Sequence, residues 1–67
     1  MAFNPDPKVT AARDIGRKWS KSRVIVLMID DDAGTIEYAS WGRTPVLCRR
    51  AKVTADAVYE AVREVER

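Results

Sequence analysis

Few residues in this chain could do chemistry, and their arrangement narrows what that chemistry would be. Asp30, Asp31 and Asp32 are consecutive. Neighbours in a strand-end turn point in different directions, whereas a calcium loop needs acids at alternating positions, a central Gly and a closing Glu. The triplet therefore reads as a solvated hairpin tip. Cys48 is the single cysteine, and the chain contains no His to act as its base. It falls in the first turn of an expected helix beside Arg49, a setting in which a cysteine can serve as a nucleophile. It also falls on an apolar stripe, so a small buried core residue is the expected role. One Cys without His builds neither an internal disulfide nor a zinc site, and no cofactor is expected.

The cations are more telling. Arg43, Arg49, Arg50 and Lys52 crowd the start of that helix, whose N-terminus already carries partial positive charge. Free N–H groups and Arg forks there suit phosphates or a partner's carboxylates. Their spread is wide, since Arg49 and Arg50 sit about 100° apart on a helix. Arg13, Arg17 and Lys21 recur at i, i+4 and i+8 on an earlier segment. Trp41 stands next to Gly42 at a strand-to-helix corner, and Trp is favoured at interfaces, although in so small a protein it is more often core. These eight residues form the candidate binding set, with no catalytic and no metal-binding residue. Val46, Val53 and Ala57 add a thin apolar strip on the outer side of the same helix.

The elements that must position these residues follow from periodicity and caps. Residues 1–6 read as a flexible lead, with Asp6 as N-cap and Pro7 at the first position of a helix over about 7–19. Val9, Ala12, Gly16 and Trp19 fall on one stripe, with Ile15 beside them. Gly16 costs roughly 1 kcal/mol inside a helix, a cost that close approach to a sheet would offset. Strands are expected over about 23–30 and 35–41. Val24 to Ile29 is continuous, apolar and largely β-branched, which suggests a strand covered on both faces. Gly34 suits the turn between them. Thr44 is the natural N-cap and Pro45 the first residue of a helix over about 45–65. Its inner stripe is Cys48, Ala51, Ala55, Val58, Val62 and Val65.

The expected fold is a single α+β domain, helix–strand–strand–helix (αββα), around an antiparallel hairpin. Two strands make a marginal sheet in which both are edges. Two arrangements cover the apolar first strand: a homodimer pairing edge to edge into a four-stranded sheet, or helices on opposite faces of one hairpin. The dimer is preferred.

Sixty-seven residues allow one domain, and a chain of this size is only marginally stable without a staple. Apolar residues make up 46%, too many for disorder. No apolar run approaches the roughly 20 residues of a membrane span. Met1 to Pro5 shows no signal-peptide pattern, so a cytoplasmic location is expected. The net charge of +2 is small, but residues 24–42 carry Asp30, Asp31, Asp32 and Glu37 and no Lys or Arg. The hairpin is thus an acidic pole between basic flanks.

Tyr38-Ala39-Ser40-Trp41-Gly42, followed by Cys48, Ala51-Lys52, Ala55-Asp56 and Tyr59, resembles a pattern in small proteins of bacteriophages and prophages. There, an apolar strand and a YASWG-like strand end precede an Ala-rich helix, and the similarity covers residues 23–62. The resemblance implies a bacterial host and an accessory role: binding a host macromolecule and blocking or redirecting it, in some cases to counter host defence. The expected function is therefore non-enzymatic binding and modulation of a host protein. The alternative is a small basic nucleic-acid-binding module.

Overall fold

The computed structural model describes residues 7–66. The order is α1 (Pro7–Lys18), β1 (Arg23–Asp30), β2 (Thr35–Gly42) and α2 (Pro45–Val65). This is the expected αββα arrangement. Asp6, the expected cap of α1, lies outside the described residues.

β1 and β2 form a two-stranded antiparallel sheet, with Arg23 opposite Gly42 and Asp30 opposite Thr35. Residues directly opposite share a face, so the register sorts the side chains. One face carries Val24, Val26, Met28, Glu37, Ala39 and Trp41. The other carries Ile25, Leu27, Ile29, Ile36, Tyr38 and Ser40.

Each face receives one helix. On the first, Gly16 of α1 lies so close to the Trp41 indole that a Cβ at position 16 would fall inside the ring's contact distance. Lys8 of α1 also pairs with Glu37 at 3.1 Å. On the second, Tyr59 of α2 stacks on Tyr38 with ring centroids 4.7 Å apart. The helices therefore take opposite faces of one hairpin. The close approach expected at Gly16 is present.

The turns follow from local chemistry. α1 ends with Ser20 at φ 54, and the Lys21 N–H donates to the Gly16 carbonyl at 2.9 Å. That is the six-to-one bond of a Schellman ending, here with Ser in the left-handed position that Gly usually takes. At the hairpin, Asp30 Oδ1 accepts from the Asp32 and Ala33 amides at 3.0 and 3.2 Å. Gly34 takes φ 69, as a residue without Cβ can. Thr44 caps α2: its Oγ1 accepts from the Leu47 N–H at 3.2 Å, and Pro45 follows in the first turn.

The core differs from the expected one. Its buried apolar residues are Ala12, Ala39, Ala51 and Ala55, and no large side chain among the described residues is fully buried. Val24 to Leu27 are half-buried, and Met28 and Ile29 are 41% and 45% exposed. The continuous apolar run of β1 is thus covered only in part, because one helix per face spans a hairpin without sealing its free edge. The inner stripe of α2 is buried only at Ala51 and Ala55. Val58 (37% exposed) and Val65 (82% exposed) lie on the flank of α2 that carries Thr54, above the open β1 edge. Among the described residues no helix is long and apolar enough to cross a membrane.

Candidate functional site

The sharpest concentration of candidate residues surrounds Trp41, at the end of β2. The indole is held by its fit on Gly16. Gly42 follows it with its α-carbon packed against the Leu47–Cys48 backbone, so that β2 turns directly into α2. A groove of about 390 Å³ opens there between α1 and the first turn of α2, lined by Val9, Arg13, Trp41, Arg43, Pro45 and Cys48 among others. A second hollow on the other side of the indole is lined by Gly16, Arg17, Ser20, Lys21, Trp41 and Arg43. Trp41 and Arg43 belong to both.

The structure therefore brings together Arg13, Arg17, Lys21, Trp41 and Arg43. Arg13 and Arg17 share a flank of α1 because they are four residues apart. Lys21 joins them because the Schellman ending turns the chain back beside that flank. Arg13 Nε is buried without a hydrogen-bond partner and lies 3.5 Å from Asp14 Oδ1 as an ion pair. Arg43 is exposed, and its amide donates to the Ser22 carbonyl at 3.0 Å, which extends the sheet by one rung.

The remaining candidates divide. Lys52 stands one turn beyond Cys48 and prolongs the basic surface along α2. Arg49 lies about 100° further round the helix from Cys48. Arg50 is on the opposite flank. Its carbonyl accepts from Thr54 Oγ1 at 3.1 Å, and that hydroxyl in turn faces Arg23 Nη1 of β1 at 3.4 Å. The four cations at the start of α2 thus do not form one patch, because a helix distributes consecutive residues around its axis.

Two expectations about single residues need correction. Cys48 is exposed on the wall of the groove. The backbone of that turn packs on Gly42, and the Cys48 side chain is left on the groove side. Trp41 is neither buried nor free: it is half-buried, one part of the ring seated on Gly16 and the rest lining the groove. Val9 and Thr10, which also line the groove, carry no sequence signal for such a role beyond their position one turn before Arg13.

The acidic residues lie at the other end. Asp30 and Asp31 border a hollow with Glu66 from the end of α2. β2 separates this pole from the basic one by roughly 23 Å at about 3.3 Å per residue. That exceeds the Debye length of about 8 Å at physiological salt, so a ligand at one pole is screened from the other. Among the described residues no group of three or more His, Cys, Asp or Glu side chains could hold a metal ion. No family model, no curated protein and no solved structure matches the chain.

Proposed function

We propose that the protein is a non-enzymatic accessory protein of the phage type that binds a host protein and modulates or inhibits it, countering host defence being one form of such action. The reading rests on one observation: Arg13, Arg17, Lys21 and Arg43 surround a half-buried Trp at a groove. Arg and Trp are the side chains that concentrate binding energy at protein interfaces. Arg forks match carboxylates, and the indole offers apolar area around which they can close. An acidic segment of a host protein is the ligand this chemistry suits. The phage setting is supported by the resemblance over residues 23–62, most of whose quoted residues dock α2 on β2. Trp41, Gly42 and Cys48 are the ones that also line the groove.

A nucleic-acid partner is the second reading, favoured by the cations at one end and the screening of the acidic pole. Base stacking on Trp41 is restricted, since part of the ring rests on Gly16. Capture from bacterial lysate with tagged wild type and with the Arg17→Glu/Arg43→Glu double variant separates the two. A specific host protein retained by wild type, lost by the variant and displaced by a Glu-rich peptide supports the first reading. Retention of nucleic acid, with affinity falling steeply as salt rises, supports the second. Equal capture by wild type and variant removes the groove from either account.

A further inference from the structure

We propose that the free edge of β1 seats a second copy of this chain, paired antiparallel across a two-fold axis. Edge-to-edge pairing is expected from the sequence, and the hydrogen-bond pattern identifies the edge. The Arg43 amide donates to the Ser22 carbonyl, one rung beyond the Arg23–Gly42 pair. Bonded and non-bonded pairs alternate in an antiparallel ladder. Val24, Val26 and Met28 therefore bond to β2, while Arg23, Ile25, Leu27 and Ile29 turn their N–H and C=O groups outward. Among the described residues the sheet ends at β1, so these groups face no further strand there.

Among the described residues nothing guards this edge. Soluble proteins blunt exposed edges with charges, Pro or bulges, and Val24 to Ile29 contains no charged residue and no Pro. The flanks are apolar as well. On α1, Ile15 and Trp19 are 43% and 62% exposed, on the flank away from the Arg13–Arg17 groove. On α2, Thr54 faces Arg23 of β1. Val58, one turn on, and Val65, two turns further, continue that flank at 37% and 82% exposure. Together with Met28 and Ile29, these residues form an apolar border above and below an unpaired strand. A core whose fully covered apolar residues are four alanines needs that border buried.

Charge selects the occupant. β1 begins at Arg23, with Arg50 nearby on α2, and ends at Asp30, next to Asp31 and Asp32. An antiparallel copy lays the basic end of each chain beside the acidic end of the other. A two-fold axis normal to the sheet keeps every residue on its own face, so only residues an even number apart can meet. Pairing Ile25 with Leu27 of the second copy satisfies this, centres the axis on Val26 and sets Arg23 opposite the other Ile29, at the end where the acidic turn of that copy begins. The edge of β2 is a poorer seat, since the Lys8–Glu37 ion pair and the Trp41 groove with its cations lie along it. The resulting four-stranded sheet leaves both Trp41 grooves at its outer edges.

Light scattering across a dilution series and amide hydrogen exchange on the wild-type chain test this. The expected result is a two-chain mass at high micromolar concentration, with the Ile25 and Leu27 amides protected and losing protection on dilution. Trp19 is largely exposed, so Trp19→Glu leaves the single chain folded while weakening the dimer at least about tenfold, or 1.4 kcal/mol. A single-chain mass throughout would overturn the proposal. A two-chain mass with unprotected Ile25 and Leu27 amides would do so equally, by placing the interface elsewhere.

Discussion

Two contacts meet at Tyr38. Its ring stacks on Tyr59, and its hydroxyl donates to Asp56 Oδ1 at 2.7 Å. The bond to the Asp56 carboxylate, then burial, then the negative charge of Asp56 hold the phenol's pKa above its usual 10.0. The folded state thus binds the phenolic proton more tightly than the unfolded chain does. Its contribution is complete below pH 10 and is lost as pH rises through the raised folded value. Tyr38→Phe keeps the stack and removes the bond. The melting temperature should fall slightly at neutral pH, and its alkaline decline should become shallower. An alkaline profile unchanged by the substitution would show that Tyr38 does not govern it. Thr44 offers a second check. Thr44→Ala removes the acceptor for the Leu47 amide and should cost about 1 kcal/mol by denaturant unfolding. Both the cap and Pro45 were legible in the sequence because capping depends on residues adjacent in the chain. The Tyr38–Asp56 bond was not, because it depends on which face of the sheet α2 covers.

At the scale of elements, the closest fit that positions α1 is that of Gly16 on Trp41. Ala is the better helix former, and Gly16→Ala should gain roughly 1 kcal/mol of propensity. The added methyl would collide with the Trp41 indole, and overpacking of this kind costs about 1–3 kcal/mol. Net destabilisation is expected, together with a change in tryptophan fluorescence. A stabilised variant would mean that the indole swings clear and that the groove beside it is not preformed. The helix boundaries were readable from caps and periodicity. The burial of individual stripe positions was not, since Cys48 opens onto the groove and Val58 and Val65 onto the free β1 edge, which depends on where the helix sits on the sheet.

Over the whole molecule, charge and apolar surface are segregated in different directions. Arg13, Arg17, Lys21 and Arg43 gather at the Trp41 end and Asp30, Asp31 and Glu66 at the hairpin end, while apolar residues border the β1 edge. The first separation underlies the proposed binding of an acidic or anionic partner, tested by the capture experiment. The second underlies the proposed pairing of two copies at the β1 edge, tested by the oligomeric mass. The order helix, strand, strand, helix was determined by the sequence alone, because hydrophobic period, turn residues and caps act over a few neighbouring positions. So were the acidic tip and the basic flanks. Only the tertiary structure decided that the helices take opposite faces, since that choice rests on the Gly16–Trp41 and Tyr38–Tyr59 fits between residues far apart in the chain. It likewise gathered Arg13, Arg17 and Lys21 with Arg43 around Trp41 and sent Arg50 to the other flank. Linear spacing fixes an angle around a helix axis, but only packing fixes where that axis lies.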